Sequence, residues 1–479
     1  MRPSSLSRAA RAAATLLPLL APAAAVRAQS VGALTAAAAA RIDSVAVAEL
    51  ASTGTPGSSL VIVHGDRIVY AKGYGVASVE TREPVAAGMI FRLGSTTKMM
   101  TSLAALSLAA RGIVDLDRPI GQYAPAIASP RLRNVTLRQL LTHTSGLLDY
   151  TSMSGPHDDD AMNAFVPTLT DTAFFTHPGD IMSYSNLGYV VAGYVLSVAS
   201  KKPYADVMHD EVFAPLGMTH STMRPIEAMT FPLAQGHQRA AGTAMQVARP
   251  APDDSRYWPA GSAFTTAPDF ARLAIAMMND GSVDGKQVIP AAVVRTWRTP
   301  SVKLPGDTSA TPVRYGFGLE TRWARGDTLI EHSGSRAGYG SMFRAIPSRR
   351  IAVIVLGNQS GISLRRTLDA ATAALDPDLQ PQADLVGRPT PRAIDAAAQS
   401  QLVGSYRNGR TSGVDIFVTD GALLARSLSG ASDAANGVPL QRIGTNWFVA
   451  GTSRFAIVTG ADGKTRYAVV GIRAMKKQD

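Results

Sequence analysis

Strand-forming runs sit at both ends of the first 375 residues, and a long stretch of helix and loop lies between them. Residues 59–64 and 67–73 are β-rich and joined by Gly65-Asp66, a hairpin signal. Strand character returns only at 315–322, 328–332, 340–346 and 351–356. The intervening sequence carries apolar helical patterns at 187–199, 204–213 and 268–278, and 136–230 reads as mostly helical. A further Ala-rich helix is expected at 31–53 and another at 363–375. Strands first and last with helices between have one economical solution. A single antiparallel sheet is assembled from both ends, helices cover it, and a helical lobe is inserted. We therefore expect an α/β (α+β) fold with a site in the cleft between sheet and lobe.

At 479 residues the chain exceeds one compact core, so more than one domain is expected. Pro377, Pro381, Pro389 and Pro391 mark residues 377–398 as a linker between a main domain, 29–376, and a C-terminal unit, 399–479. In that unit Asp420-Gly421 and Asp462-Gly463 each separate two alternating strands, which predicts hairpins and a small β-sandwich or barrel. No chemistry is visible in it, and its removal is expected to leave the chemistry of the main domain detectable. Residues 1–28 have the form of a signal peptide: Arg2, Arg8 and Arg11, then an apolar run to Val26, with Ala28 before a cleavage point. A periplasmic or secreted protein with no stable membrane anchor after cleavage is expected.

There is no cysteine, which excludes disulfides, thiol nucleophiles and thiolate metal sites. The histidines show no H-E-x-x-H pair and Asp158 to Asp160 lack calcium-loop spacing, so no metal or cofactor is expected. The net charge of +11 falls to +7 without the four arginines of residues 1–28 and is spread along the chain. That pattern does not point to nucleic acid; it suits an anionic wall polymer or envelope surface.

The candidate chemistry centres on Phe91 to Met100, FRLGSTTKMM. Ser95 is the one serine with a lysine, Lys98, three residues on, and an apolar helical run follows. That spacing sets a hydroxyl beside an amine at a helix start, where N–H groups favour developing negative charge. A serine needs a base, and a lysine serves if burial or a second cation lowers its pKa. Tyr184 and Asn186 form a Y-x-N just before an apolar helix; a phenol can relay a proton and an amide can hold a carbonyl. The same pattern at Tyr406 to Asn408 reads as a hairpin turn. His332, Ser333 and Gly334 end a β run, where Gly334 admits close approach of backbone to a ligand and a following N–H can serve an oxyanion. No G-x-S-x-G is present, which argues against an α/β-hydrolase.

Each element is weak alone, but their order is specific. The chain resembles the serine β-lactamase and penicillin-binding-protein superfamily, in its class C β-lactamase, DD-carboxypeptidase and esterase branch, over about residues 35–375. LLTHTSGL at 141–148 and PAGSAFTTAPDFARL at 259–273 extend the likeness. The resemblance implies that Ser95 is acylated, that Lys98 activates it, and that Tyr184 is a second proton-transfer group. Which of the two is the base in acylation stays open. It implies substrate binding by Asn186, by the His332-Ser333-Gly334 strand, and by an oxyanion hole of the Ser95 and Ser335 N–H groups. Where β-lactamases usually have lysine, this chain has His332, which is largely neutral unless its pKa is raised. The expected activity is therefore hydrolysis of an ester or a D-amino-acid-containing peptide, with Arg336 nearby to supply charge. β-Lactam hydrolysis is the alternative enzyme reading. A catalytically weak peptidoglycan-binding or interaction protein is the alternative from another class. The expected partner is a small-molecule or peptide substrate, with cell-wall peptidoglycan as a candidate.

Overall fold

The computed structural model describes residues 34–239, 243–307, 312–324, 326–379, 392, 394–410, 412–428, 436–451 and 453–478. The expected signal peptide and most of the expected linker lie outside them. Eight strands form one antiparallel sheet: β1 (Gly57–His64), β2 (Arg67–Gly75), β3 (Val302–Lys303), β4 (Arg314–Tyr315), β5 (Glu320–Ala324), β6 (Asp327–Arg336), β7 (Tyr339–Ile346) and β8 (Ile351–Gly357). Their order is β2-β1-β8-β7-β6-β5-β4-β3. The first strand of the chain thus pairs with the last of the set, Leu60 opposite Val355 and Ile62 opposite Val353. A sheet built from both chain ends is what the distribution of β runs required.

Both faces are covered, which is why β1 and β8 read as continuous apolar runs. Leu60, Ile62, Val353 and Val355 pack under the helices Ala36–Thr53 and Arg365–Leu375. Val61, Val63, Ile354 and Leu356 face the larger core shared with the helix Ala267–Met278 and the helical lobe. The two outer helices are joined by Glu49, whose carboxylate accepts the N–H groups of Arg366 (2.9 Å) and Thr367 (2.7 Å) at the start of the second helix. Those N–H groups have no partner within their own helix, and a carboxylate there suits the helix dipole.

Two expectations need correction. The run 315–322 is not one strand, because Gly316 and Gly318 turn the chain between β4 and β5, with Gly318 at φ +69°. A side chain at Gly318 would stand 2.5 Å from the carbonyl oxygen of Lys98, so the turn can rest on that backbone only as glycine. The region 136–230 is less helical than its composition suggests. Between the helices Leu137–Leu141 and Asn186–Ser200 the chain runs mostly as loop, punctuated by Gly155-Pro156, Pro167 and Pro178-Gly179.

The C-terminal unit is a closed barrel of eight antiparallel strands, from Gly404–Arg407 to Arg473–Lys477. Tyr406, Ile416, Phe448 and Phe455 fill it. The expected Asp420-Gly421 hairpin is present, with both residues at positive φ.

Candidate active site

Ser95 lies in the turn that opens the helix Thr97–Ala110, where Lys98 N–H donates to the Ser95 carbonyl (3.0 Å). This helix is apolar on every side and buried through most of its length, so it is a core helix that carries the site on its first turn. Lys98 is fully buried. Its Nζ lies 3.3 Å from Ser95 Oγ, 2.7 Å from Asn186 Oδ1 and 2.5 Å from the Ala260 carbonyl. Burial pulls its pKa well below the ordinary lysine range; Arg473 and Arg336 push the same way and Asp149 opposes them.

Tyr184 lies close enough to Ser95 for that side chain to act on its phenol. Its ring faces Lys98 Nζ at 4.8 Å and stacks on His143 with centroids 4.3 Å apart. Burial drives the phenol far above its usual pKa, against Ser95 and the Arg473 guanidinium. His143 fixes this segment from both sides: its carbonyl accepts Ser183 N–H (2.8 Å) and its Nδ1 accepts Ser185 N–H (3.1 Å).

β6 lies against the Gly94-Ser95 turn. A side chain at Gly334 would stand 2.8 Å from Ser95 N, and one at Gly94 would collide with the backbone of Ser335. Two facing glycines thus let the Ser95 turn meet the strand carrying Gly334 and Ser335. His332 donates from Nδ1 to the Ser333 carbonyl (2.7 Å), so its Nε2 accepts from Tyr315 OH (3.0 Å). Burial, with Lys98 nearby, lowers it to about 3. His332 is therefore a neutral, fixed tautomer.

The expected site residues Ser95, Lys98, Tyr184, Asn186, His332, Gly334 and Ser335 thus lie together. Asn186 arrives with both amide protons engaged, on Asp149 Oδ1 (3.0 Å) and Thr151 Oγ1 (2.8 Å). A substrate carbonyl can take the Asn186 amide only by displacing Thr151. The next residue of that loop, Ser152, accepts from Arg336 Nη1 through its carbonyl (3.2 Å). Arg336 is buried, its Nε and Nη2 have no hydrogen-bond partner, and burial with the Arg92 guanidinium lowers it to about 10.

Sequence reasoning did not single out Asp149, Thr151, Tyr315 or Arg473. His143 lay inside a motif already quoted, but the other four had no local pattern. The reading of the barrel as free of chemistry is corrected: Arg473 Nε donates to Asp149 Oδ2 (2.5 Å) and its guanidinium covers the Tyr184 ring at 5.0 Å. Asn408, read as a simple turn residue, also reaches the main domain, its Oδ1 accepting Asp149 N–H (3.2 Å).

A family model described as Beta-lactamase matches residues 42–376. The chain belongs to the Beta-lactamase family. It is a hydrolase of the serine β-lactamase and penicillin-binding-protein type. Penicillin-binding protein 4 of Amycolatopsis lactamdurans is 28% identical over 316 residues, 63% of this chain and 81% of that one. A crystal structure of SurE aligns with 92% of this chain and 99% of its own at 24% identity and TM-score 0.74, so the likeness in fold extends over the barrel. The D-amino acid amidase of Ochrobactrum anthropi SV3, in complex with L-phenylalanine amide, aligns with 71% of this chain and 98% of its own at 24% identity and TM-score 0.56. Among the described residues no helix is long and apolar enough to cross a membrane.

Proposed function

We propose that this member of the Beta-lactamase family forms an acyl-enzyme at Ser95 and hydrolyses an ester or a D-amino-acid-containing peptide or amide. The observation that carries the reading is the bonding of Lys98. A neutral amine has two N–H groups and one lone pair. The Asn186 and Ala260 carbonyls take two donors, and the direction left over points to Ser95 Oγ. Burial drives the pKa of this lysine down, which favours the neutral amine whose lone pair can accept the serine proton. Tyr184, with its phenol pushed up, is no base at that pH; it suits transfer of the proton to the leaving group. The developing oxyanion would lie between the N–H groups of Ser95 and Ser335, and water would then release the acyl group. Losing one such donor costs on the order of 10²–10³ in rate where it has been measured.

His332 brings no charge to this cleft, which speaks against a carboxylate site of the lysine kind. Arg336 brings charge and has two unpartnered nitrogens. Once Thr151 and Ser152 are displaced, it would receive the carboxylate of a peptide substrate. The similarity to a D-amino acid amidase and to a penicillin-binding protein agrees with that substrate class. The form of residues 1–28 supports export to the periplasm or beyond the cell, with cell-wall peptides within reach.

The test is a panel of p-nitrophenyl esters, a D-Ala-D-Ala peptide, a D-amino acid amide and nitrocefin, run on wild type and Ser95→Ala. Ester or D-peptide turnover is expected to lead the panel and to vanish in the variant. Leading nitrocefin turnover would make it a β-lactamase, and activity that survives the substitution would remove Ser95 from the role. Arg336→Ala is expected to raise KM for the D-Ala-D-Ala peptide about tenfold, the worth of one charge-assisted contact, and to leave KM for the uncharged ester unchanged.

A further inference from the structure

Asp149 is bonded to two of the residues that act on Lys98, Asn186 and Arg473. Its Oδ1 accepts both the backbone N–H (2.9 Å) and the side-chain Nδ2 (3.0 Å) of Asn186, which turns the amide so that its oxygen faces Lys98 Nζ. Its Oδ2 accepts Arg473 Nε (2.5 Å) and its backbone N–H donates to Asn408 Oδ1 (3.2 Å). Asp149 is 13% exposed and Arg473 41%. Both barrel partners are themselves fixed. Asn408 is buried and its Nδ2 donates to the Ala474 carbonyl (2.8 Å). The residue before Arg473 accepts Tyr184 N–H through the Ile472 carbonyl (2.9 Å), and Ala474 N–H donates to Ser183 Oγ (3.0 Å). One hairpin of the barrel is therefore stitched along the segment 183–186 that carries Tyr184 and Asn186.

We infer that Asp149 is a positioning residue of the active site, held there by Arg473 and Asn408, and that the C-terminal barrel is thereby part of the catalytic apparatus. The inference rests on the reading of Ser95 and Lys98 given above. The pair also sets the charge balance around Lys98. The groups that face this amine are Asp149, Arg473 and Arg336, the neutral His143 and His332, and the rings of Tyr184 and Tyr189. Asp149 favours a proton on Lys98 and Arg473 disfavours it, so removal of either moves the amine in opposite directions.

The measurement is the rate of labelling of the full chain by a fluorophosphonate from pH 5 to 10. Melting temperature is recorded for each variant and the labelled residue is mapped by mass spectrometry. Labelling rises with pH as Lys98 loses its proton. Asp149→Asn is expected to lower the plateau by about 10²-fold through misplacement of Asn186 and to move the rising limb to lower pH. Arg473→Met is expected to move the limb to higher pH, and Arg473→Lys to return it to the wild-type position. A purely structural role would not send the two limbs in opposite directions. Should Asp149→Asn fail to fold, the Arg473 pair decides, since that side chain is two-fifths exposed. Wild-type plateaus and limbs with the label on Ser95 would overturn this inference alone. Limbs that move the same way, or a loss of rate that only tracks a lower melting temperature, would also overturn it. A label mapped elsewhere than Ser95 would overturn the reading of the nucleophile and this inference with it.

Discussion

His332 and Lys98 are residues that water would often or always leave charged, and burial in the fold lowers the pKa of both. The consequence for stability has a definite sign. His332 stays neutral in the native state down to about pH 3, whereas the unfolded chain protonates it below about 6.5. Its contribution is present above 6.5 and is lost as pH falls, at about 1.4 kcal/mol per pH unit. Urea unfolding at pH 6.5 and 5 is therefore expected to show a loss on the order of 2 kcal/mol from this residue, absent in His332→Gln; equal losses in the two proteins would refute the assignment. Lys98→Arg is expected to reduce labelling of Ser95 by at least about 10²-fold, because a guanidinium stays protonated in proteins and offers no lone pair. At this scale the sequence was legible where two groups that the fold brings together share a short motif, as Ser95 and Lys98 do. It was silent where the partner is distant: nothing near Tyr315 marks it as the donor to His332.

The elements of the main domain were legible where a single period governs them. β1 and β8 are continuous apolar runs because helices cover both faces, and the helix Thr97–Ala110 is buried from Thr97 to Leu108 because it is a core helix. Legibility failed where glycine or proline overrides the period, as in the turn at Gly316 and Gly318 and the loop before Tyr184. Glu49 shows what holds one element to another. Glu49→Ala leaves the N–H groups of Arg366 and the buried Thr367 without their acceptor and is expected to cost about 1–3 kcal/mol in chemical denaturation. A change below a few tenths would show that water replaces the carboxylate. Gly334→Ala acts on the contact between β6 and the nucleophile turn, where the new methyl would meet Ser95 N at 2.8 Å. A shift of the strand by about 1 Å is expected to slow acylation about 10²-fold with a much smaller fall in melting temperature.

Taken whole, the molecule is a sheet-and-helix hydrolase whose cleft is finished by a separate barrel. The sequence set a C-terminal unit of strands apart by its composition, but it could not show the seam, which joins single residues far apart in the chain. Ser183, Tyr184 and Asp149 meet Asn408, Ile472, Arg473 and Ala474 across it. Because the seam is built of buried hydrogen bonds, calorimetry is expected to show one unfolding transition, split into two by Asn408→Ala. Two transitions in the wild type would mean that the barrel melts independently. The distance between Asp149 and Arg473, 324 residues along the chain, also has a bearing on timing. Domains fold as units while synthesis proceeds from the N-terminus. A nascent chain can complete its sheet and bury Lys98 well before Arg473 has been made. The carboxylate that orients Asn186 waits for the barrel, so the main domain can fold before its site is complete.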